Sequence, residues 1–245
     1  HPATRALAPR WSPGTHGDPR RGEFRSSGLG RRFPLDAIPW GAPGGPPLFD
    51  EELAYLDSTA AWAATCQGPR VRAHLLPLLE DLRARTQPGV GPALDPYPTA
   101  SRILNLGRTW ALLVADGLEP GEPLDAALCA LLWRDQRVLR WRLERHNSAN
   151  HLLRELVALC VAAPILGLRP PDEALLAEAG RQMLPDGGHV EGSPTYLLRV
   201  VRDLTELAVA RPELADALRP LLARGLDLLD AITLAGGLPL FGDGV

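Results

Sequence analysis

Six consecutive positions near the middle of the chain hold two histidines and two asparagines. They are His146, Asn147, Asn150 and His151, within RHNSANHLLREL over residues 145–156. An imidazole exchanges protons near neutral pH, and a carboxamide both donates and accepts hydrogen bonds. A second polar cluster, DGGHVEGSPTY over 186–196, adds His189, Glu191 and Tyr196. Each cluster ends where a helical pattern begins. A helix start presents backbone N–H groups with no intrahelical acceptor, and these attract anions. The chemistry this suggests is carboxylate binding by Asn150, proton acceptance by His151, and a phenol at Tyr196 that reaches the same rim.

Part of both clusters also has a purely structural use. Asn147, Ser148 and Asn150 are good helix N-caps, and Asp186-Gly187-Gly188 reads as a turn. Ser193-Pro194 reads as an N-cap followed by a first-turn proline. His189, Glu191 and Tyr196 are left unexplained by those roles. No histidine pair has the H-x-x-x-H or H-E-x-x-H spacing that puts metal ligands on one helical face, so neither a metal nor a cofactor is expected. Asp186 and Glu191 share one loop, a poor arrangement for glycoside hydrolysis, which needs carboxyls on opposite sides of the bond.

The elements that must position these groups read as helices. Apolar residues recur at helical spacing over 49–64, 71–85 (interrupted at Pro77) and 124–145. Further helices are expected over 150–166, 173–184, 194–210 and 212–234. Between the second and third helices, a loop over 86–100 delivers Tyr97, and Thr99 or Ser101 caps the helix running to about 115. That makes eight helical segments, and no stretch alternates convincingly with period two. Leucine and alanine outnumber valine and isoleucine, which favours helix over sheet. The fold class is all-α, built from antiparallel helical hairpins. Residues 1–48, rich in Pro, Gly and Arg, are expected to be irregular and pinned by Trp11, Phe24, Phe33 and Trp40. The helical domain spans 49–235, and 236–245 reads as an exit toward something longer.

With 245 residues and 45% hydrophobic content the chain can bury a sizeable core. A formal net charge of −3 gives no global reason to expect nucleic acid. All 26 basic residues are arginine, which is weak support for an anionic substrate. Cys66, Cys129 and Cys160 form no C-x-x-C pair and read as buried thiols. No apolar run reaches the ~18–20 residues of a membrane span.

Four blocks, DPYPTASRILN, LRWRLERHNSANHLLRELVAL, MLPDGGHVEGSPTYLLRVVRDL and GGLPLFGD, resemble in order those of the heparinase II/III-like polysaccharide lyases. The resemblance covers roughly 50–243. It implies an incomplete (α/α) toroid, with the family's C-terminal β-sandwich expected to follow this chain. It implies β-elimination at a uronic acid of an acidic polysaccharide, heparan-like or alginate-like, by a bacterial periplasmic or secreted protein. On matching positions, Asn150 neutralises the uronate carboxylate, while His151 and Tyr196 supply the proton transfers. His146, His189, Glu191 and Tyr97 are the expected substrate contacts.

The Tyr196 block departs from the family pattern at Gly192 and Leu197, where arginine and histidine are usual. A further histidine comes from the sandwich in the family, so the chain by itself is expected to be nearly inactive. Two other readings stand beside the lyase. One is a non-catalytic relative that binds anionic glycan; the other is an (α/α) toroid glycoside hydrolase.

Overall fold

The computed structural model describes residues 17–18, 21–26, 29–34, 36–40, 47–65, 69–146, 149–235 and 237–239. It is mostly helical, in agreement with the all-α reading. The chain divides into two compact units, His1–Arg142 and Leu143–Val245.

In the first unit, the segment expected to be irregular contains a hairpin. Strands β1 (Glu23–Ser26) and β2 (Leu29–Arg32) pair antiparallel, with Glu23 opposite Arg32 and Ser26 opposite Leu29. Phe24 is buried from the hairpin and stacks edge-on against Trp40, 6.1 Å between ring centroids. Phe33 in turn approaches Phe49, and Trp40 Nε1 donates to Asp81 Oδ2 at 2.6 Å. Three of the four aromatic pins thus act as expected; Trp11 lies outside the described residues.

The predicted helix over 49–64 is two helices, α1 (Pro47–Leu53) and α2 (Asp57–Thr65). The break falls at Leu56, whose φ of 59° is left-handed and cannot continue a helix. Helix α3 (Pro69–Arg85) runs through Pro77 without interruption. Pro77 and the residue whose carbonyl it cannot serve, Ala73, are both exposed, so water can satisfy that oxygen. Helices α4 (Pro96–Ala115) and α5 (Pro123–Arg142) complete the unit. Helix α4 packs against α2 and α5, and α3 packs against α5. Its start at Pro96 makes Tyr97 a first-turn helical residue rather than a loop residue.

An ion pair with no solvent exposure joins α4 to α5. Arg102 Nε donates to Asp135 Oδ2 at 2.7 Å, while Nη1 donates to the carbonyls of Ala54 and Ala93. Buried charges persist only when paired and hydrogen-bonded. Here that pairing ties the bend after α1 and the short 3₁₀ turn Pro92–Leu94 to the helical core.

The second unit holds α6 (Asn150–Ile165), α7 (Asp172–Gln182), α8 (Pro194–Ala210) and α9 (Ala215–Ile232). Helix α6 packs on α7 and α8, and α9 packs on α8 and α7. On α8, Leu197, Val200, Val201, Leu204 and Leu207 are buried, the i, i+3, i+4, i+7 stripe of a core-facing helix. Asp203 on α8 accepts from Arg154 on α6 at 2.5 Å, fixing one helix against the other. Cys160 is buried and Cys129 half-buried, both free thiols; Cys66 lies outside the described residues.

Gly225 marks the closest approach of α9 to its neighbours. A Cβ there would stand 2.7 Å from Val201 Cγ2 and 2.9 Å from Met183 Cε. Crowding of this kind typically costs ~1–3 kcal/mol, against ~1 kcal/mol gained from alanine's helix propensity. Gly225→Ala is therefore expected to destabilise the unit by about 1 kcal/mol in urea unfolding. A stabilised variant would show that the interface can open at no cost.

Of the apolar exit residues, Leu238 is half-buried, while Leu240 and Phe241 lie outside the described residues. Among the described residues, no helix is long and apolar enough to cross a membrane.

Candidate functional site

Helix α8 begins as its sequence dictates. Ser193 has extended φ/ψ, its hydroxyl accepts the Tyr196 N–H at a long 3.5 Å, and Pro194 opens the helix. Helix α6 begins differently. Its N-cap position is Ala149, which has no side chain to cap with. The acceptor comes from elsewhere in the chain. Glu191 takes the Asn150 backbone N–H at 2.6 Å, and Asn150 Nδ2 donates to its two oxygens at 3.1 and 2.9 Å. A carboxylate therefore rests on the amide of Asn150 and on the α6 start, where the helix dipole also favours it. Asn150 is only 5% exposed.

Glu191 reaches that position because the loop carrying it is tightly built. Met183 and His189 form an antiparallel bridge, and Leu184 N–H donates to Gly188 at 2.8 Å. Gly187 turns the chain with φ 90°, and a Cβ there would meet the Arg224 carbonyl oxygen at 2.2 Å. The His189 ring is the centre of the loop. Its Nε2 lies 2.8 Å from Gln182 Oε1, and the Glu191 N–H approaches Nδ1 at 3.4 Å. That network assigns a neutral ring protonated on Nε2. Burial pushes the His189 pKa down, opposed by the nearby Glu191 charge. Gln182 passes the chain of bonds on, donating to the Ala149 carbonyl at 2.9 Å. The carbonyl before α6 is thus held by the last residue of α7, and the amide that opens α6 by Glu191 of the second polar cluster.

Since Glu191 touches the start of α6 and lies two residues before the α8 N-cap, both helix starts stand at the same end of this pair. Asn150, His151 and Tyr196 all belong to those first turns, His151 and Tyr196 being half-buried. His146 is exposed in the turn before α6. Asn147 and Ser148 lie outside the described residues.

His189 and Tyr97 are placed differently from substrate contacts on a rim. His189 is 3% exposed and bonded inside its own loop. Tyr97 belongs to the first unit and is buried in α4, its ring 6.0 Å from that of Tyr55. Both rings are enclosed and leave little surface for a ligand.

Sequence reasoning did not single out two acids here, one bonded to the His151 ring and one bonded to the backbone of the first. Glu144 Oε2 lies 2.7 Å from His151 Nδ1. The Glu144 backbone N–H donates to Glu155 Oε2 at 3.0 Å, and Glu155 has no solvent exposure. Burial pushes the Glu155 pKa up to about 8; the Glu144 backbone N–H works against this, and the Glu144 carboxylate adds to it. The one sequence signal was spacing: an acid at i+4 from a histidine on one helix faces the same way. Among the described residues, no three His, Cys, Asp or Glu side chains gather in a way that could hold a metal ion.

The Glu191 contact makes a stability prediction. Glu191→Ala removes the only side-chain cap at the α6 start among the described residues, together with charge-assisted bonds from Asn150. A loss of about 2 kcal/mol is expected in urea unfolding, with early loss of amide protection at Asn150. An unchanged midpoint would mean the contact contributes nothing.

Comparison with protein-family models, curated proteins and solved structures finds no match to this chain.

Proposed function

We propose that the chain is a polysaccharide lyase or lyase-like domain acting on a uronate-containing acidic polysaccharide, its helical hairpins forming part of an (α/α) toroid. The observation that carries the reading is the carboxylate of Glu191 held by the Asn150 amide and backbone N–H. A group of the substrate's own chemistry already occupies the position where a uronate would be neutralised. In this reading the uronate carboxylate takes the place of Glu191 on Asn150, and neutralisation acidifies the C5 proton beside it. His151 removes that proton, so the C5–H bond breaks and an N–H bond forms. The released electron pair becomes the C4–C5 double bond as the C4–O bond breaks, and Tyr196 gives its proton to the departing oxygen. The ordered sequence blocks support the same assignment.

A second reading, a non-catalytic binder of anionic glycan, is favoured by the same contact. While Glu191 stays bound, the donors of Asn150 that would neutralise a uronate are engaged within the chain. Gly192 and Leu197 also lack the charged and imidazole groups usual in the family. The test is to incubate the full-length gene product with heparan-like and alginate-like polymers. Appearance of the ultraviolet absorbance of an unsaturated uronate supports the lyase. New reducing ends without that absorbance would point to a hydrolase, and binding without either product to the binder.

A further inference from the structure

Glu144 and Glu155 have no place in the chemistry just described, yet the first bonds its base and the second bonds the backbone of the first. Glu144 stands in the turn between α5 and α6, seven residues before His151, with Oε2 2.7 Å from the His151 Nδ1. Glu155 lies one turn further along α6 than His151. It accepts the Glu144 backbone N–H through Oε2, while its Oε1 is buried with no hydrogen-bond partner among the described residues. An ionised carboxylate would leave that oxygen both charged and dry, the costliest state open to it. When two carboxyls adjoin, the more enclosed one keeps the proton and the other carries the charge. Here the enclosed one is Glu155, with no exposure, and the charge-bearing one is Glu144, about a quarter exposed.

We infer that Glu144 is a positioning residue: as an anion it holds His151 in the Nδ1–H tautomer, so that Nε2 exchanges the substrate proton, and neutral Glu155 behind it keeps the charge on Glu144. The elevated proton affinity of Glu155 agrees with this division. A hydrogen bond at one ring nitrogen decides which nitrogen is basic, so a single carboxylate sets both the tautomer and the ring plane. When Nε2 takes a proton the ring becomes a cation beside the Glu144 anion. No proton need move to Glu144 itself.

The role in β-elimination rests on the lyase reading, but the tautomer does not. Nitrogen-15 spectra of the imidazoles in the whole chain are expected to show His151 protonated on Nδ1 at neutral pH. In Glu144→Gln the carboxamide is a weaker partner, and the Nε2–H form should appear. Glu155→Gln, which mimics the neutral acid, should leave the native tautomer unchanged. A native His151 already in the Nε2–H form, or a Glu144→Gln spectrum identical to the native one, would overturn the proposal. If Glu144→Gln fails to fold, Glu144→Asp keeps the charge but shortens its reach, and a shift toward Nε2–H is expected there too. In the kinetic arm, Glu144→Gln should lower kcat by about 10²–10⁴-fold with KM nearly unchanged, and Glu155→Gln should do neither. A locked tautomer in a protein without lyase activity would sink the lyase reading and leave the positioning role standing.

Discussion

Glu155→Gln is expected to equal the native chain in stability near pH 4.5 and to exceed it by roughly 3–5 kcal/mol at pH 8. The sign follows from where the proton resides. In the unfolded chain Glu155 ionises near its ordinary value of 4.5, whereas in the fold burial holds the proton until about pH 8. Between those values the folded state binds more protons, so native stability falls as pH rises through the window and levels off above it. Glutamine has no proton to lose, so the variant lacks this slope. The groups that face the carboxyl are Glu144, whose charge adds to the upward shift, and its backbone N–H, which opposes it. All six tryptophans precede Leu143, so fluorescence would follow the wrong unit. Amide exchange along α6, measured from pH 5 to 8, reads the right one. Equal slopes for the two proteins would mean that Glu155 is already ionised in the fold.

Some of this arrangement could be read from residue order, because local rules decide it. Ser193-Pro194 opened a helix as the N-cap and first-turn preferences require, and Asn150 stood at a helix start. The burial stripe of α8 follows directly from apolar spacing. The hairpin of β1 and β2 was missed because its strands are four residues each, charged, and set among glycines and prolines. The break at Leu56 was missed because no glycine or proline announces it; tertiary packing holds a leucine in the left-handed region.

Contacts across turns and loops were the least legible. Asn150 and Glu191 are 41 residues apart, and nothing local says that an alanine N-cap will borrow its acceptor from a distant loop. Glu144 was passed over for a related reason. The helix predicted to run to 145 ends at Arg142, and that early ending places Glu144 in a turn where it can face back toward α6. His189 illustrates the converse case. Its residue type suggests chemistry, while its surroundings make it the bolt of a turn.

On the lyase reading proposed above, Tyr196→Phe in the full-length gene product is expected to reduce elimination by about 10²–10⁴-fold, the usual contribution of a positioned proton donor, while binding of the polysaccharide is nearly unchanged. The loss should fall on kcat because the phenolic proton is needed only once the C4–O bond is breaking. The fold should tolerate the change. Tyr196 is half-buried, and the bond that caps α8 uses its backbone N–H, which phenylalanine keeps. Asn150→Ala offers the contrast. It deletes the two Nδ2 contacts with Glu191 but leaves the backbone contact, so ~1 kcal/mol of stability should go together with activity. Comparing the two separates proton transfer from carboxylate neutralisation, since only the asparagine variant should also weaken uronate binding. If Tyr196→Phe turned over at the native rate, the tyrosine would be a packing residue. The proton for the leaving oxygen would then have to come from another group, and the assignment of this helix start as the acid side of the site would fail.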